Sequence, residues 1–223
     1  MDLLQDGIQR LGYQFVPFLL AVVGHEFGHG LMAYWWGDHT AKENDRLTLN
    51  PIPHLDIIGT VVFPIINMLS GINLLIGWAK PVPINPTRFR NYRMGLFWVS
   101  LAGPLANFVM AFLCALLLCL MTRYAPADFI FIKEFSTMFE VGIFLNFGLG
   151  IFNLIPLPPL DGSKIIESFL SYQQTREYEK LAQYSFYILL ALMITGAFRF
   201  LSPPIIFLSN LTLKLAAWIV GVV

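Results

Sequence analysis

Six long apolar stretches govern what this chain can fold into. They run approximately from Tyr13 to Trp36, Ile57 to Trp78, Met94 to Met121, Met138 to Ile155, Tyr184 to Phe200 and Pro203 to Val223. A helix needs about 20 residues to cross roughly 30 Å of hydrocarbon. Only 13% of the residues are charged, where a soluble domain carries about a quarter, so lipid is the main solvent. In lipid the backbone must satisfy its own hydrogen bonds. The expected fold is therefore an all-α polytopic membrane protein of about six membrane segments, organised as one domain over residues 1–223.

Two stretches depart from plain spans. The second contains Pro64, Asn67, Ser70, Gly71 and Asn73, which predicts a re-entrant or broken helix. The fourth stops at Pro156, Pro158 and Pro159, and irregular backbone at membrane depth is tolerated only against protein or a wet cavity. The segments Arg46 to Asn50 and Lys80 to Pro86 fit short edge strands, a β-hairpin or extended loops at the membrane surface better than helix. Lys80, Arg88, Arg90 and Arg93, with no acid among them, place the connection from Ala79 to Met94 in the cytoplasm. If all six stretches span, both termini share that side; a re-entrant second stretch reverses everything before it.

Composition excludes several functions. A formal net charge of zero and a pI near 6.9 leave no nucleic-acid footprint. Cys114 and Cys119 lie in an apolar run and fit small core residues better than a disulfide or metal site. Asp2 and Asp6 near the N-terminus do not suit the basic start of a secretory signal, so the first stretch is expected to be retained.

Inside that first stretch stands His25-Glu26-Phe27-Gly28-His29. Two histidines four residues apart share one face of a helix and can reach one ion. Glu26 follows the first of them and can contact water at the ion, as the H-E-x-x-H pattern requires. Ionisable groups inside a membrane helix cost at least a few kcal/mol unless paired, and by default they mark function. A chance pair of core histidines is the weaker reading.

A catalytic zinc site takes three protein ligands and a water. Glu140, Asp161 and Glu167 are the acids in or near apolar sequence. Asp161-Gly162 follows the proline break at Asn153-Leu154-Ile155-Pro156-Leu157-Pro158-Pro159-Leu160, which makes Asp161 the best third ligand; its alternative is an N-cap at the membrane surface. One divalent ion, two neutral histidines, Asp161 and ionised Glu26 sum to zero charge, which low dielectric tolerates.

These residues resemble the site-2 protease family of intramembrane zinc metalloproteases. His25 to His29 matches the zinc-binding helix, and Asn153 through Asp161-Gly162 matches the second motif, whose Asp supplies the third ligand. Ala102-Gly103-Pro104-Leu105-Ala106-Asn107 and Gly77-Trp78-Ala79-Lys80-Pro81-Val82-Pro83 look like the compact prokaryotic members without a PDZ or CBS module. The resemblance covers roughly residues 15–170, the catalytic core, and leaves a helical pair at about 181–223 without a motif. It implies one catalytic Zn2+, a transmembrane protein substrate cut in or near its membrane segment, regulated intramembrane proteolysis, and a multi-pass protein of a prokaryotic cell (inner) membrane.

Asn107 and Asn146 are amides in apolar stretches, for which interhelical hydrogen bonding is the simplest role. Asn107 is also a catalytic candidate as a donor near the substrate carbonyl, and Asn153 a support for the Asp161 loop. Gly24 and Gly28 fit close helix packing, and His39, His54 and Asp56 an interfacial polar role. The rival function is a membrane metal transporter or metal-binding membrane protein using the same residues. A di-iron oxygenase demands more histidines than the four present.

Overall fold

The computed structural model describes residues 11–63, 65–66, 77–126 and 128–222. Its long elements are helices: α1 (Val16–Trp35), α2 (Tyr92–Tyr124), α3 (Ile132–Asn153), α4 (Asp161–Glu167), α5 (Tyr172–Glu179), α6 (Ala182–Ile194) and α7 (Ser202–Val220). Four helical segments, Gly12–Trp35, Tyr92–Tyr124, Ile132–Asn153 and Ala197–Val220, are long and apolar enough to cross a membrane; Ala182–Ile194 is apolar but shorter. The chain is an all-α polytopic integral membrane protein. No strand forms among the described residues: 77–85 is an extended loop and 46–50 an irregular one that bends at 47–49, so only the loop alternative is realised.

Local chemistry sets the boundaries. Pro17 sits in the first turn of α1, where its missing N–H costs nothing. Beyond Trp36, Gly37 takes φ +104°, a left-handed conformation that turns the chain out of the helix. Asn91 caps α2 by accepting the Met94 N–H at 3.1 Å. At 33 residues, α2 is about 50 Å long, so it tilts or projects beyond the hydrocarbon. α3 runs out into Pro156, Pro158 and Pro159 before α4 begins.

The helices pack as one cluster around α2. Ala111, Ala115, Leu118 and Cys119 of α2 meet Ile143 and Phe147 of α3 and Ile205 and Ala216 of α7. Cys119 thus serves as a small core residue, and both cysteines are free. On the other face of α2, Leu105, Val109, Leu113 and Leu117 are exposed at four-residue spacing. Such a stripe is a lipid-facing surface.

The two described ends of the second apolar stretch meet each other. The stretch begins with a wide helical turn, Ile57–Val62, capped by Asp56, whose carboxylate accepts the Gly59 N–H at 2.7 Å. Its far end returns to the same place: the Trp78 N–H donates to Gly59 O at 3.1 Å, and the Thr60 hydroxyl donates to Trp78 O at 2.7 Å. A straight helix over this length would separate those residues by about 27 Å, and two crossings would need about 40 residues. Entry and exit therefore lie side by side. Pro64, Asn67, Ser70, Gly71 and Asn73, expected to break the helix, lie outside the described residues, as does the N-terminal segment 1–10.

The connections on either side of this stretch are joined. The Arg90 N–H donates to Trp36 O at 2.9 Å, and Arg88 pairs with Glu43 at 2.8 Å. The end of α1 and the start of α2 thus share one membrane face.

Candidate metal centre

His25 and His29 both face α2, and the two helices must be close for that. A Cβ on Gly28 would lie 2.8 Å from Ala102 O and from Ala106 Cβ, so the crossing needs glycine there. Gly24 is less constrained, since its added Cβ would meet only Met110, at 3.4 Å. On the opposite helix, a Cβ on Gly103 would stand 2.8 Å from His25 Cε1 and closer still to the His29 ring. Gly28 brings the helices together, and Gly103 makes room for both imidazoles.

Hydrogen bonds then fix the rings. His29 Nδ1 is 2.7 Å from Val99 O; a carbonyl only accepts, so this nitrogen carries the hydrogen. His25 Nδ1 is 2.7 Å from Asn107 Oδ1. The Asn107 amide is itself oriented by Nδ2, which donates to Ala21 O at 2.9 Å and to Asn146 Oδ1 at 3.0 Å. Asn146 is held in turn by Nδ2 on Gly142 O at 2.8 Å. His25 Nδ1 must therefore donate as well. When the rings are neutral, as metal ligation requires, the Nε2 lone pair of each is left bare.

These bare atoms converge. The two Nε2 atoms are 3.0 Å apart. Asp161 Oδ2 lies 3.2 Å from His25 Nε2, and Oδ1 lies 3.3 Å from His29 Nε2. His25, His29 and Asp161 can offer one ligand atom each with all three atoms within 4.8 Å of one another. Asp161 Oδ2 is buried without a hydrogen-bond partner among the described residues. Three electron-rich donors facing one point call for a positive charge between them. A zinc ion, which takes His and carboxylate ligands, would fit this donor set.

Asp161 reaches the histidines from the first turn of α4. Leu160 is the N-cap, so Asp161 is not itself the cap that the surface alternative required. Gly162 lets α4 begin against the end of α3, since a Cβ there would collide with the carbonyls of Leu154 and Ile155. The approach loop is braced by the Tyr178 hydroxyl on Pro156 O at 2.7 Å; its Pro158-Pro159 peptide is cis.

The other candidates fall elsewhere. Glu140 is exposed on α3, and Glu167 pairs with Lys164 at 2.7 Å. Asn107 is fully buried with both amide hydrogens on Ala21 and Asn146, so it has no free donor for a substrate carbonyl. Its oxygen serves His25 instead. Asn153 bonds back to Leu149 O within its own helix at 3.0 Å. His39 is exposed and edge-on to Tyr34, whereas His54 is buried, with Nε2 donating to Thr48 O at 2.9 Å. Half-buried Glu26 accepts the Val82 N–H on Oε2 at 2.7 Å. That contact carried no sequence signal beyond the proline-rich character of its loop.

Buried histidines, a carboxylate and a neighbouring glutamate within apolar helices define a membrane metalloenzyme. A model of "Peptidase family M50" matches residues 125–196, the part that includes Asp161-Gly162. Bacillus subtilis (strain 168) YwhC is 37% identical over 192 residues, covering 84% of this chain and 83% of YwhC. Mycolicibacterium smegmatis Rip2 is 33% identical over 201 residues, covering 86% and 73%. Both carry the name "Putative zinc metalloprotease". No solved structure matches. The chain belongs to peptidase family M50, the site-2 protease family, and is a zinc-dependent protease.

Proposed function

We propose that this chain is an intramembrane protease that hydrolyses a peptide bond in or near the transmembrane segment of a protein substrate, in regulated intramembrane proteolysis at a prokaryotic cell (inner) membrane. Residues 1–223 act as one catalytic unit. The observation that carries this reading is the convergence of the bare His25 and His29 Nε2 atoms on Asp161, with Glu26 one residue from the first ligand.

His25, His29 and Asp161 hold one zinc ion. Bound there, zinc supplies a Lewis acid that polarises a peptide carbonyl and makes water more acidic. Glu26 takes a proton from the attacking water and returns it to the departing amine, so the carboxylate is regenerated in each cycle. Asn107 and the Val99 carbonyl keep the two imidazoles in the tautomer that binds an ion, and such outer partners orient ligands rather than touch substrate. Gly103 keeps the space beside the rings clear.

The substrate helix hides its carbonyls in its own hydrogen bonds and must unwind locally before attack. The decisive experiment uses purified full-length protein with a model transmembrane substrate. Wild type should bind zinc and cleave, and Glu26→Gln should bind zinc without cleaving. Cleavage at wild-type rate by Glu26→Gln would sink the assignment of Glu26.

A further inference from the structure

The loop that touches Glu26 is itself held by a buried polar cluster. Pro81 and Pro83 flank Val82, so donors between Lys80 and Asn85 are restricted to residues with an N–H and the backbone is stiff. The Lys80 N–H donates to His54 O at 2.9 Å, the Val82 N–H to Glu26 Oε2 at 2.7 Å, and the Asn85 N–H to Asp38 Oδ2 at 2.6 Å. From the facing side, Arg46 Nη2 donates to Lys80 O at 2.8 Å and Pro81 O at 3.3 Å. The Glu26 contact is thus bracketed on both sides by ties to the connection that follows α1.

Those ties are costly. Asp38 is 0% exposed and Arg46 8%. Asp38 also accepts the Thr40 N–H at 3.0 Å and the Thr40 hydroxyl. Arg46 forms no ion pair among the described residues, and its Nε is buried without a hydrogen bond. A buried guanidinium spent on backbone carbonyls is a poor route to stability alone. It does fix the position of one strip of backbone.

We propose that the Asp38 and Arg46 side chains, with the His54 backbone carbonyl, form a clamp that positions Ala79–Asn85 so that the Val82 amide holds the Glu26 carboxylate in one orientation. This rests on Glu26 being the proton acceptor proposed above. A glutamate has three rotatable side-chain bonds, and an unanchored carboxylate divides its time among several rotamers. One hydrogen bond from a fixed amide selects the productive one. The clamp residues are positioning residues: they touch neither metal nor substrate, and they act through Val82.

The test uses zinc-loaded full-length protein and a model transmembrane substrate. Val82→Pro deletes the amide hydrogen, whereas Val82→Ala keeps it. Arg46→Met removes the ties to Lys80 and Pro81, whereas Arg46→Lys can still donate. Zinc content should equal wild type in all four. Misplacing a reacting group by about 1 Å can cost about a hundredfold; kcat should fall at least about tenfold in Val82→Pro and Arg46→Met, with KM within about twofold. The two conservative variants should stay within about threefold of wild-type kcat. If Arg46→Met does not fold, the Val82 pair decides alone. Wild-type kcat in zinc-loaded Val82→Pro would overturn the clamp, as would a loss confined to KM, which would make the loop a substrate-binding edge. Either result leaves the protease reading standing, because wild type still cleaves. Cleavage by Glu26→Gln would instead remove Glu26 as the base, and the clamp with it.

Discussion

His25 Nδ1 donates to Asn107 Oδ1 across 2.7 Å, between residues 82 positions apart in sequence. The bond leaves Nε2 of His25 as the bare atom that faces His29 and Asp161. Since Asn107 Nδ2 is committed to Ala21 and Asn146, the amide cannot flip without breaking two bonds.

Asn107→Ala should therefore weaken zinc binding without removing a ligand. Outer partners of metal ligands typically contribute about 10–100-fold in affinity, and a loss in that range is expected in a competition titration with a chelator. The substitution also strands Asn146 Oδ1, which costs about 1–3 kcal/mol of stability. Unchanged zinc affinity would show that the His25 tautomer is set by something other than Asn107.

Gly28 and Gly24 make a paired test of the helix crossing. An alanine at 28 would press its Cβ to 2.8 Å from Ala102 O, where backbone must move, while one at 24 would meet only the flexible Met110 at 3.4 Å. Overpacking costs about 1–3 kcal/mol; Gly28→Ala should lower the thermal midpoint in detergent and reduce zinc content, and Gly24→Ala should do neither. Equal behaviour of the two variants would contradict the close crossing at Gly28.

What could be read from the sequence was what depends on short-range order. The four-residue spacing of His25 and His29 fixes a shared face on any helix, and three prolines before Asp161 announce a break on any chain. Four of the six apolar stretches likewise give membrane-length helices by length alone. The role of Asn107 was not legible, because its two donors are assigned only when α1, α2 and α3 pack together. The Val82 contact with Glu26 links residues 56 apart through a loop with no periodicity. Short edge strands, a β-hairpin or extended loops were the expectation for Arg46 to Asn50 and Lys80 to Pro86; the loop form is the one realised, and the Arg46 side chain bonds the Lys80 and Pro81 carbonyls.

The return of Trp78 to Gly59 and Thr60 predicts a topology. If the stretch from Ile57 to Trp78 enters and leaves on one side, residues 44 and 87 face the same compartment. With Cys114 and Cys119 replaced, single cysteines at Asn44 and Thr87 should both react with a membrane-impermeant maleimide from the cytoplasmic side, following the positive charge of the Ala79 to Met94 connection. Labelling from opposite sides would mean that the stretch crosses.

Asp161→Ala tests the third ligand directly. Glu140 and Glu167 are the acids that could otherwise complete the site by sequence, yet Glu140 is exposed on α3 and Glu167 is bound to Lys164. Removing Asp161 leaves two imidazoles and takes the one carboxylate out of the ligand set. Zinc affinity should fall by more than the roughly hundredfold expected for losing an outer partner, so Asp161→Ala should release zinc to a chelator concentration that Asn107→Ala withstands. Gly162→Ala should mimic this loss in part, because its Cβ would collide with the Leu154 and Ile155 carbonyls and push Asp161 away from the histidines. Full zinc retention in Asp161→Ala would place the third ligand elsewhere in the chain.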